Sequence, residues 1–150
     1  MRSRAGSFPG FSILFMALLI FAAFILISCG TTAKNITLAE TSVDQFHSQL
    51  DTEQYTALYA STDPKFHQVT SEGDFVKLLQ AIHTKLGSVR EANLRGAGAA
   101  WHTGTGATVS LVYETKFAQG TAKEQFVWHI SDNSASLYGY HINSNDLISK

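Results

Sequence analysis

The chain has one cysteine and two prolines in 150 residues. A single thiol excludes a disulfide scaffold, and so little proline excludes a collagen-like or low-complexity chain. Charge is also sparse, with 11 Lys and Arg against 12 Asp and Glu. Two of the cations, Arg2 and Arg4, stand in a leader without acidic residues, so the remainder is mildly acidic and holds no basic cluster. That balance lacks the attraction to phosphate that carries non-specific nucleic-acid affinity, and no nucleic-acid partner is expected. There is no Gly-x-Ser-x-Gly elbow, no glycine-rich phosphate loop ahead of a helix, and no His-x-His pair among histidines 47, 67, 83, 102, 129 and 141. Isolated imidazoles do not make a zinc site, so neither a metal nor a cofactor is expected.

What is present begins with the leader. A basic start (Met1 to Arg4) precedes an apolar run from Phe11 to Ile27 broken only by Ser12, the plan of a signal peptide over residues 1–28. The run ends in Leu26-Ile27-Ser28-Cys29, which resembles the lipobox of bacterial lipoproteins. The resemblance implies a diacylglyceryl group on the Cys29 thiol, cleavage after Ser28 and acylation of the new α-amine. Two or three acyl chains make an effectively permanent membrane anchor, where one chain holds only marginally. Gly30 rather than Asp follows, which implies outer-membrane delivery in a two-membrane organism. The other reading of the same run is an uncleaved membrane helix with an inert Cys29. Residues 29–37 read as the lipidated cysteine and a polar linker, in which the triplet Asn35-Ile36-Thr37 has no glycosylation meaning in a bacterium.

Residues 38–150 are long enough for one domain with one core. Ala39, Val43, Phe46 and Leu50 recur on one face of a first helix. Asp51 and Gln54 have the spacing of a capping box opening a second helix, with Tyr55, Leu58 and Tyr59 on its buried side. Asp63-Pro64 predicts a capped turn that buries Phe66, and Ser71 caps a helix carrying the stripe Phe75, Leu78, Leu79, Ile82 and Leu86, closed by Gly87. Beyond Gly87 the period becomes two, and four strands fit at about 88–102, 107–118, 121–131 and 136–143. Short turns between them predict an antiparallel meander.

A turn at Gln119-Gly120 would set Val109, Leu111 and Tyr113 beside Ile130, Trp128 and Phe126. In the last hairpin, Phe126, Trp128 and Ile130 would face Ile142, Tyr140 and Tyr138, leaving Val127, His129, Gly139 and His141 on the outer side. The first strand carries Gly-Ala-Gly-Ala-Ala at 96–100, so small side chains would leave space on the core side. Gly98 with Tyr113, Trp128 and Tyr140 is therefore the candidate lining of an apolar ligand pocket, unless the aromatics are simply core. Val127, His129 and His141 are the candidate partner or dimer surface.

Helices followed by a meander resemble the nuclear-transport-factor-2-like, or cystatin-like, α+β cone, in which N-terminal helices pack on a curved four-stranded antiparallel sheet. The closing segment Leu137-Tyr138-Gly139-Tyr140-His141-Ile142-Asn143-Ser144 resembles the end of small bacterial lipoproteins with that fold. A cystatin-like inhibitor would carry Gln-x-Val-x-Gly at a hairpin tip, whereas Gln125-Phe126-Val127-Trp128-His129 lacks the glycine and lies inside a strand. An isomerase of the superfamily would need a buried carboxyl on the core face. Glu124 falls near a strand end, Glu114 outward and Asp132 in a turn, so all three read as solvated charges, and no catalytic residue is expected. The resulting expectation is a non-enzymatic, lipid-anchored envelope protein that binds a protein partner or itself, with carriage of a small apolar ligand as the alternative.

Overall fold

The computed structural model describes residues 31–102, 104 and 106–149. Met1–Lys34 and Asn35–Lys150 are separate units, and only 31–34 of the first are described. The leader, the Leu26-to-Cys29 quartet and Cys29 itself lie outside the described residues. Among the described residues no helix is long and apolar enough to cross a membrane.

Helix α1 occupies residues 31–51, so the segment read as a polar linker is helical from 31 onward. Asn35, a polar residue, is buried on the same face as Ala39, Val43, Phe46 and Leu50, so the buried row reaches one turn further toward the N-terminus than the apolar stripe does. Helices α2 (Tyr55–Ala60), α3 (Pro64–Val69) and α4 (Glu72–Leu86) follow. Gln54, not Asp51, is the N-cap of α2, and it makes no side-chain cap bond. The Asp51 carboxylate instead accepts from the backbone N–H of Val89 at 2.9 Å, so it ties the end of α1 to the start of the sheet.

The other caps behave as their sequences predict. Asp63 accepts from the Lys65 amide with Pro64 at the first helical position, and Ser71 accepts from the Asp74 amide. Four residues of the α4 stripe are buried, and Leu78, at its margin, is partly exposed. Gly87 ends α4 at φ +76°, and the next turn packs on that end: Gln119 N–H donates to Leu86 O and Ala118 N–H to Ser88 O.

Strands β1 (Val89–His102), β2 (Gly106–Phe117), β3 (Gly120–Ser131) and β4 (Ser134–Asn143) form one open antiparallel sheet in chain order, with short α5 (Asn145–Ser149) after it. Helices against a four-stranded antiparallel sheet make the fold α+β. The register differs from the sequence reading in two places. Phe117 pairs with Gly120, so the β2–β3 turn is Ala118-Gln119 and every partner moves by two. A shift of two keeps each face facing the same way, but it sets Glu124 directly beside the core residue Tyr113.

In the last hairpin the turn tightens to Asp132-Asn133, both at positive φ as a two-residue hairpin requires. A β-bulge then makes Tyr138 the extra residue. Trp128 therefore faces Leu137, Phe126 faces Tyr140 and Glu124 faces Ile142. Tyr138, expected in the core beside Ile130, turns outward.

Candidate functional site

Phe126 is the hub of the core, with ring centroids of Phe46, Tyr140, His47, Tyr113 and Trp128 at 5.0–6.2 Å from it or from each other. Beside this aromatic cluster sits a polar one. Glu124 is 0% exposed, which corrects its reading as a solvated charge. Its carboxylate accepts three hydrogen bonds: from Nε2–H of His47 at 2.9 Å and the Thr115 hydroxyl on Oε2, and from the Tyr140 hydroxyl at 2.6 Å on Oε1. The four groups come from α1, β2, β3 and β4. Burial pushes the Tyr140 phenol well above its ordinary value, and the Glu124 charge and hydrogen bond push it further. The Tyr113 phenol is pushed up to about 12 by burial, with help from Glu40 and Asp44.

Both halves of this tetrad have a sequence signal that the first reading passed over. His47 completes the spacing 43, 46, 47, 50, the stripe of a helix face wide enough to include it. Glu124 alternates between Ala122 and Phe126, both buried, so period two places it inward.

A second acid–imidazole pair lies at the β4 edge. Nδ1 of His129 is 2.7 Å from Oδ2 of Asp63, and Ser136 Oγ reaches the same oxygen at 3.4 Å. Burial works to raise the Asp63 carboxyl, but the Lys65 amide, His129 and Ser136 outweigh it and hold it below the usual range. The Asp63 N–H also donates to Leu137 O, so the corner before α3 covers part of the outer edge of β4. His129 is thus a structural tie as well as a half-buried surface residue, while His141 is exposed and Val127 lies half-buried against Gly139.

The four ligand-pocket candidates do not share a cavity. Tyr113, Trp128 and Tyr140 belong to the aromatic core, and Gly98 lies on an exposed stretch of β1 with nothing within 4 Å of an added Cβ. The space expected beside the small residues of β1 opens to solvent there. A cleft of about 860 Å³ lies elsewhere: it is lined by the Arg95–Glu114 ion pair, Lys123, Asn143 and Asp146, and of the four candidates only Tyr113 borders it. No tetrad member lines this cleft, so it offers the buried carboxylate no route to a substrate. Among the described residues no three His, Cys, Asp or Glu side chains gather into a metal-holding group.

The sheet's two edges are treated differently. On β1, Val89 is held by Asp51, and beyond it no hydrogen bond reaches the outer backbone edge among the described residues. Residues 97–101 are exposed, Leu94 is partly exposed and Trp101 is 58% exposed.

The profile of a family described as "Protein of unknown function (DUF4019)" matches residues 42–140. The chain belongs to the DUF4019 family. No curated protein matches it. The DUF4019 segment opens in α1 and closes on Tyr140, so it contains the whole His47–Thr115–Glu124–Tyr140 tetrad and the Asp63–His129 pair. Cys29 precedes the DUF4019 segment.

Proposed function

We propose that this DUF4019 protein is a non-enzymatic, lipid-anchored protein of the bacterial envelope, whose domain, a nuclear-transport-factor-2-like or cystatin-like cone, serves as a protein-interaction or self-association module. The observation that carries the reading is the contrast between the edges. The Asp63 corner covers part of β4, whereas among the described residues no hydrogen bond reaches the outer edge of β1 from residue 90 onward, and Leu94 and Trp101 are exposed beside it. Native proteins blunt long edges with charge, proline or cover, and an uncovered one is a template for another strand. From Gly96 to Trp101 there is neither a charge nor a proline. The leader and its Leu26-Ile27-Ser28-Cys29 quartet support the anchor. A core filled by its own aromatics gives the carrier alternative less support.

The test is the mass of the protein extracted from its own membranes in mild detergent, measured native and then denatured. A chain beginning at acylated Cys29 supports the anchor, and an intact leader overturns it. A doubled native mass or a bound second protein, lost in Trp101→Arg, supports the module. A monomer with unchanged recovery of all partners in that variant overturns it.

A further inference from the structure

Strand β1 carries two large apolar side chains that the fold leaves in water, Leu94 at 39% and Trp101 at 58% exposure. Between them stand only Arg95 and the small residues Gly96 to Ala100. The ladder with β2 fixes their spacing: Leu94 pairs with Tyr113, Gly98 with Ser110 and Trp101 with Ala107, and Arg95 is the extra residue of a bulge. Leu94 and Trp101 therefore lie three ladder positions either side of Gly98. They also share a face, because their partners Tyr113 and Ala107 are both buried in the core. The charges that would guard this edge are turned back onto the sheet. Arg95 Nε and Nη2 bond Oε2 of Glu114 at 2.9 and 2.8 Å, and Glu91 accepts from Nζ of Lys116 at 2.7 Å, both partners standing on β2.

We propose that the occupant of the β1 edge is a second copy of this chain, paired antiparallel to it about a two-fold axis through Gly98. This rests on the reading of β1 as the contact edge and names its partner. A two-fold contact must complement itself, and the ladder spacing does so. Gly98 meets the partner's Gly98, Ala97 meets the partner's Ala99, and Leu94 meets the partner's Trp101 on the core face. On the other face Gly96 meets the partner's Ala100, where nothing bulky stands in the way. The only charge in the span 94–101 is Arg95, and as the bulge residue it has no residue directly opposite, so no like charges meet. An unrelated strand would use the same backbone groups, but it would not require Leu94 and Trp101 to be equally spaced about Gly98. Joining two four-stranded sheets gives one of eight, within the usual range.

The experiment is oxidation of cysteine variants of the full chain in detergent, read as mass on a non-reducing gel, with the unsubstituted chain as the background for Cys29. Directly opposed Cα atoms of an antiparallel pair lie about 4.5–5.5 Å apart, inside the range a disulfide spans. Gly98→Cys is expected to double in mass. Leu94→Cys is expected to stay at single mass alone and to double when coexpressed with Trp101→Cys. Gly73→Cys, in open space on α4, is the control and is expected to stay at single mass. Gly96→Cys coexpressed with Ala100→Cys serves if one of the other variants fails to fold. No crosslink in any β1 variant, an equal crosslink at Gly73→Cys, or self-crosslinking of Leu94→Cys, the mark of a parallel or shifted pairing, overturns the proposal. If a second protein is then still bound and is lost in Trp101→Arg, the edge remains a contact site and only its occupant is wrong. If Trp101→Arg changes no recovery, both readings fall.

Discussion

Nε2 of His47 lies 2.9 Å from Oε2 of Glu124, and both side chains are buried where a helix crosses the sheet. A buried pair of this kind adds little over well-packed apolar groups, but removing one partner strands the other. Glu124→Gln is therefore expected to cost about 3 kcal/mol in urea unfolding, because an amide cannot accept from His47, Thr115 and Tyr140 as a carboxylate does. The double variant His47→Leu with Glu124→Leu is expected to recover much of that loss. Equal loss in the single and double variants would mean the tetrad is worth more than its burial costs.

The Asp63 pair contributes to the acid limb of stability. Its folded carboxyl titrates below the ordinary range, so its contribution is present above the unfolded value and is lost as pH falls through the folded one. Asp63→Asn is expected to flatten the fall in melting temperature toward low pH. His129→Asp, which sets two carboxylates where Nδ1 now meets Oδ2, is expected to cost about 1–3 kcal/mol near neutrality. A surface role alone would leave both unchanged.

Alkaline behaviour follows from the tyrosines with the opposite sign. Tyr113, with its phenol at about 12, and Tyr140, raised further by Glu124, stay neutral in the fold after the unfolded chain has ionised. Their stabilisation is complete below the ordinary tyrosine value of about 10 and declines as pH rises through the folded values. Ultraviolet titration is expected to show these two phenols ionising late, together with unfolding, and Tyr140→Phe to remove one of them.

Glycines separate fold from surface. A Cβ at Gly106 would stand 2.4 Å from Ile130 O, on a backbone at φ +89°, so Gly106→Ala is expected to cost at least about 2 kcal/mol. Gly98→Ala meets open space and is expected to stay within about 0.5 kcal/mol. Thermal melts of the two variants decide it.

Helices α3 and α4 and the strands were legible because they carried their own punctuation: Asp63-Pro64, Ser71 and Gly87 bound the helices and period two marks the strands, whereas the Asp51 cap was misplaced and α5 had no apolar period to announce it. Register was less legible, because a shift of two leaves the apolar pattern intact. The register observed lets the Ala118 and Gln119 amides bond Ser88 O and Leu86 O at the end of α4, contacts that hydrophobic alternation does not encode. That same shift hid the buried cluster, since Glu124 changes from a strand-end charge to the neighbour of Tyr113. The bulge at Tyr138 has no signal in hydrophobic alternation, and the exposure of residues 97–101 depends on where the helices stop covering the sheet.

The chain order of the meander has a consequence for how the protein assembles. Each strand pairs with its neighbour in sequence, so the sheet can zip hairpin by hairpin with short loop closures. Helix α1 has no such local route, for Glu124, the hydrogen-bond partner of His47, stands on β3, 77 residues away. In a chain emerging N-terminus first, α1 is complete before the strand that carries Glu124 exists, so docking of the first helix is expected to come late in folding, which φ-values near zero at Val43 and Phe46 would check.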